Sequence, residues 1–150
     1  MASVSVQAAD YDASAEAAAL TAGRADVGAV VTFSGLCRDE GGTLEALEIE
    51  HYPGMAEAEI LRVCAEAEGR WPLFGCRVIH RHGAIRPGEN IVLVVTASAH
   101  RASAFAAADF LMDYLKSAAP FWKRERRRDG EPGAWVEAKS SDEVSLRRWS

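Results

Sequence analysis

Residues 113–130 read DYLKSAAPFWKRERRRDG, and the reading of this stretch decides how the chain is built. It begins inside an apolar stripe in which Phe105, Ala108, Leu111, Met112 and Leu115 recur at helical spacing, and it is interrupted at Pro120. Proline lacks a backbone donor and disfavours helix in the residue before it, so a helix is expected over about 100–118 and must end there. FWKRERRR then reads as a short strand, with AWVEA as its neighbour around the turn DGEPG. If Pro120 reverses the chain, Lys116 in the last helical turn and Lys123 near the strand's start converge on one cleft.

Working outward, residues 3–7 read as a strand and 14–21 as an alanine-rich helix. VGAVVTFSGLCR, residues 27–38, reads as a buried strand because its β-branched and aromatic residues are continuous. TLEALEIEHY alternates with one slip in phase, the mark of a bulge, and the glycines of DEGG suggest that it forms a hairpin with the strand before it. Pro53 opens a second helix that runs to about Gly69. CRVIHRHG and NIVLVVTAS are two further strands separated by the turn RPGE, and DEVSLRRW is a terminal helical turn or two. The mixed order of elements predicts an α+β fold, with sheet layers covered by two main helices.

Length and composition narrow the function. A chain of 150 residues, 49% hydrophobic and 26% charged, is expected to form one domain over 1–150 with one main core. No apolar run reaches the roughly 20 residues that span a bilayer, and the start MASVSVQAAD lacks the pattern of a signal peptide, so a cytoplasmic protein is expected. Cys37, Cys64 and Cys76 are odd in number and lack metal-ligand spacing, which points to reduced thiols. A formal charge of -5 argues against bulk attraction to nucleic acid, so anion binding must come from a local patch.

The basic run over 123–128 is that patch. Phe121 and Trp122 are expected to anchor it by burial, which fixes the direction of Lys123. Two ammonium groups held together repel, which lowers a pKa and prepares an amine for chemistry. His100 and Arg101 begin the long helix, where free N–H groups and the guanidinium favour phosphate, with Ser98 as a possible cap. Arg38 lies at the end of a strand, a common place for ligand contacts. His80 and His82 share a strand face by spacing but lack a third ligand, so they read as structural or surface residues and no metal is assigned. Cys37 alone reads as a small apolar filler. A second class of function, a non-catalytic module gripping RNA or another phosphate polymer with residues 123–128, rests on aromatics beside cations.

Together, GAVVTFSGLCRD, LEIEHYPGMAE, WPLFGCRVIHRHGAIRPGE, SAHRASAF and MDYLKSAAPFWKRE resemble the large, catalytic subunit of the molybdopterin synthase family, over about residues 27–138. The resemblance implies an α/β-hammerhead with an added small antiparallel β subdomain. It also implies a homodimer flanked by two small ubiquitin-like carriers, a heterotetramer in all. Each carrier bears sulfur as a thiocarboxylate on its C-terminal Gly-Gly. The implied reaction moves two sulfurs to cyclic pyranopterin monophosphate to form the molybdopterin dithiolene, with no metal or cofactor of this chain's own. By the same resemblance Lys116 and Lys123 are catalytic, and Leu36, Cys37, Arg38, His100, Arg101, Arg124 and Glu125 join them in binding substrate. The chain departs from the family pattern at Asp39, where asparagine is expected, and in the extra arginines Arg126, Arg127 and Arg128.

Overall fold

The computed structural model describes residues 2–130, 132–136 and 140–150. Four helices and eight strands follow in the order β1 (Ala2–Gln7), α1 (Ala13–Thr21), β2 (Ala29–Leu36), β3 (Leu44–His51), α2 (Met55–Arg70), β4 (Leu73–Arg81), β5 (Gly83–Ile85), β6 (Asn90–Ser98), α3 (Arg101–Ser117), β7 (Phe121–Arg127), β8 (Pro132–Val136) and α4 (Ser140–Arg147). They make the expected α+β architecture with two four-stranded sheets, ordered β1-β4-β6-β2 and β5-β3-β7-β8. All pairings are antiparallel except β1 with β4. AWVEA lies in β8 as far as Val136, and its last two residues fall outside the described residues.

The first sheet is buried on both faces at its centre, which is why β4 and β6 read as apolar runs. Cys76 and Val78 of β4 and Val92 and Val94 of β6 point to one face, where Ile60, Val63 and Cys64 of α2 and Leu111 and Leu115 of α3 cover them. Ile79, Leu93 and Val95 point to the other, against Tyr11, Ala13, Ala17 and Leu20 on and beside α1. A second, smaller core under the other sheet joins Cys37, Leu44, Ile49 and Ile85.

Two expectations about β2 are corrected. It is an edge strand, bordered only by β6, and has no fully buried residue. It also forms no hairpin with β3. β2 pairs with β6, whereas β3 pairs with β5 and β7 in the other sheet. The reason is local: the Cys37 N–H donates to the Glu89 carbonyl at 2.8 Å and its own carbonyl accepts from Gly88 N–H at 2.7 Å. The chain is thereby held to the turn before β6 and crosses between sheets instead of doubling back. Gly42 serves that crossing with φ +73, while the expected slip in β3 lies between Leu44 and Ala46. β5, three residues long, is too short for periodicity to reveal, and α2 begins at Met55 after Gly54 rather than at Pro53.

Candidate functional site

The site forms where α3 hands over to β7. The Ala118 and Ala119 N–H groups both donate to the Tyr114 carbonyl, at 2.9 and 3.2 Å, and close the helix. Phe121 N–H then donates to the Ala119 carbonyl at 2.8 Å, completing the reversal at Pro120. Lys116 from the last turn of α3 and Lys123 from β7 thus line a single cleft of about 290 Å³, together with Leu36, Arg38 and His80. Phe33, Ile91, Met112 and Leu115 give it apolar walls. Gly35 lies in the same lining, and a Cβ there would meet Val92 Cγ1 at 2.9 Å, so a larger residue would force the Val92 side chain or the strand to shift.

Alternation along β7 sets which cations reach the cleft. Phe121, Lys123 and Glu125 occupy one parity opposite His51, Ile49 and Leu47, and Trp122, Arg124 and Arg126 the other. Phe121 anchors the strand by stacking on His80, with ring centroids 3.8 Å apart and planes 14° from parallel. Trp122 does not share this role. It is exposed and meets the Tyr52 ring edge-on at 4.7 Å. Burial, and then repulsion from Lys116, bring the Lys123 ammonium down to about 8, against a smaller pull from Asp142.

Several residues linked to the site by sequence lie elsewhere. The Cys37 thiol is buried in the second core, which pushes its pKa up and keeps it out of the cleft lining. Its neighbour Leu36 is 54% exposed and faces the cleft. Arg124 turns outward, donates to Glu48 at 3.1 Å and lies over the Trp135 ring at 4.8 Å. With Glu125, Arg126 and Glu48 it borders a separate surface depression. His100 occupies the N-cap position of α3 without a side-chain capping bond, its N–H donates to Ser98 Oγ at 3.4 Å, and Arg101 follows it. Fifteen residues separate Arg101 from Lys116, about 22 Å along a helix, so His100 and Arg101 stand at the opposite end from the cleft.

The polymer-binding reading loses its basis on the same strand. Arg124 and Arg126 share Glu48, Arg127 lies 3.7 Å from Asp129, and Arg128 lies 3.5 Å from Asp39, the residue that departs from the family pattern. These arginines are compensated within the chain. His80 is the residue that sequence reasoning set aside and the structure places in the cleft. Its signal was available: Cys76, Val78 and His80 alternate onto the covered face of β4. Among the described residues no group of three potential metal ligands comes together, and no helix is long and apolar enough to cross a membrane.

Comparison with known proteins identifies the family. The MoaE protein family matches residues 6–118. The chain belongs to the MoaE family. The MoaE relative from Mesorhizobium japonicum, named molybdopterin synthase catalytic subunit, is 71% identical over 146 residues, 97% of this chain and 92% of its own length. One of the same name from Brucella melitensis is 59% identical over 147 residues, 98% of this chain and 90% of its own. A solved structure, the molybdopterin biosynthesis MoaE protein from Burkholderia ambifaria, superposes with a TM-score of 0.84 at 45% identity, covering 99% of this chain and 98% of that one.

Proposed function

We propose that this chain is the catalytic subunit of molybdopterin synthase, moving sulfur from the C-terminal thiocarboxylate of a small ubiquitin-like carrier to cyclic pyranopterin monophosphate. One observation carries the reading at the level of chemistry: two lysines from different elements meet in one partly apolar cleft of an acidic protein. Both reactants are anionic. Fixed cations in a partly apolar cleft offset the repulsion between them and stabilise charge that develops as sulfur attacks carbon. Lys123, already partly desolvated, is assigned to the sulfur and the developing charge, and Lys116, with Arg38 once it exchanges its partner Glu40 for substrate, to the remaining anions. Working as one domain over 1–150, the chain does this chemistry in the cytoplasm, a setting that suits its three free thiols.

The distance between Arg101 and Lys116 gives the homodimer a purpose. If His100 and Arg101 hold substrate, they do so in the cleft of a second copy. Variants Lys123→Ala and Arg101→Ala would then complement. Random mixing makes half the dimers mixed, each with one of its two clefts intact, so about a quarter of wild-type activity returns. The function itself is tested by incubating the chain with a thiocarboxylated carrier and the pyranopterin and measuring dithiolene product. Product that forms equally well without this chain would refute it.

A further inference from the structure

The cleft contains a group that the chemistry of the two lysines does not use. His80 is 2% exposed, and its ring borders the cleft beside Lys116 and Lys123. Nδ1 lies 2.8 Å from the Arg81 carbonyl oxygen. A carbonyl only accepts, so Nδ1 carries the proton and Nε2 is left as a bare lone pair. Phe121 stacks on the ring and fixes its plane, and among the described residues Nε2 has no hydrogen-bond partner. The ring is also held neutral. Burial first, then Lys123, with smaller contributions from Lys116 and His51, lower its pKa to about 3, against the opposing bond to Arg81.

A neutral acceptor among cations has a defined use. Lysine and arginine side chains only donate, so they recognise phosphate and thiocarboxylate but cannot receive a hydrogen bond from the substrate. A pterin ring carries N–H donors as well. We propose that His80 Nε2 is a substrate-contact group, the cleft's uncharged acceptor for an N–H of the pterin ring. The anionic and the heterocyclic parts of the substrate are thereby read by different residues. The inference rests on the proposed function and adds a ring-recognition residue to it.

The test uses the full chain in complex with its carrier. With isotope-labelled histidine, and His80 assigned through His80→Gln, titration with cyclic pyranopterin monophosphate is expected to move the Nε2 resonance towards the hydrogen-bonded direction. An Nε2 signal indifferent to saturating pyranopterin overturns the proposal. In turnover assays His80→Gln, whose amide oxygen supplies an acceptor, is expected to keep KM within about 3-fold, and His80→Phe, which keeps a stacked ring without nitrogens, to raise KM about 10-fold or more with a smaller change in kcat. An unchanged KM in folded His80→Phe overturns the proposal too, and if that variant does not fold the wild-type resonance decides. Absence of turnover in the wild-type complex would overturn the functional reading and this inference with it, whereas wild-type turnover with a silent Nε2 sinks the inference alone.

Discussion

On one face of β7, Lys123 enters the cleft beside a second ammonium; on the other, Arg124 and Arg126 share the carboxylate of Glu48 at the surface. The residues are adjacent and of the same sign, yet one charge is left beside another ammonium and the others are tied to a carboxylate that they share. The difference teaches that a basic run is not a unit of function. Strand parity divides it, and Lys123, which forms no ion pair among the described residues, is the one fitted to receive an anion. That the compensated side also holds Trp122 and Trp135, both exposed, shows how readily composition alone suggests a nucleic-acid surface.

The comparison can be broken most directly at Lys123. Lys123→Ala is expected to lower kcat/KM for sulfur transfer by about 10²- to 10³-fold, the scale of losing one preorganised charge. A change confined to KM would make Lys123 a binding residue only. Lys116→Ala is expected to cost roughly 10- to 100-fold, and it also removes the repulsion that depresses Lys123. Because the ammonium form is the one that offsets negative charge, wild-type activity is expected to fall as pH rises through about 8. In Lys116→Ala that fall moves to higher pH, and a pH–rate profile that keeps the wild-type position would separate the two lysines.

Stability sharpens the same contrast. The folded-state pKa of Lys123, about 8, lies below the ordinary 10.5, so the folded protein gives up this proton before the unfolded chain does. Burying the charge therefore lowers stability below pH 8, and the loss is relieved as pH rises from 8 to 10.5. Lys123→Met is expected to be more stable than wild type at pH 7 by about 1 to 3 kcal/mol, a gain that shrinks across that window in denaturant titrations. Equal stability at both ends would mean the ammonium is better solvated than its burial indicates. The smallest effect is expected on the outer face: Arg124→Ala should leave turnover within about 3-fold and cost up to about 1 kcal/mol from a half-buried pair and a ring contact. A larger loss of turnover would show that the outer face takes part.

Much of this was legible before any coordinates. Helix α3 announces itself by its stripe, and Pro120 fixes its end, so the meeting of Lys116 and Lys123 could be inferred from local rules. What could not be read was partnership between distant segments. DEGG has the composition of a hairpin turn, but two backbone bonds from Cys37 to the 88–89 turn send β3 into another sheet. The outward turn of Arg124 follows from parity, yet parity needs an absolute reference, which the stack of Phe121 on His80 supplies only in the folded chain. The separation of Arg101 from the cleft was implicit in helix rise, which carries the two ends of α3 far apart.

The three residues between α3 and β7 act as a phase setting for everything after them. Adding one residue to 118–120 would leave composition, charge and helix ends almost untouched, yet side chains along β7 would exchange faces as long as its pairing with β3 held. Trp122 or Arg124 would then enter the cleft and Lys123 would look out at Glu48 or its neighbours. A site made of single residues tolerates gradual change, one side chain at a time. Here the length of a connection carries as much of the specification as the lysines themselves, and length changes only in whole steps, each of which inverts the strand.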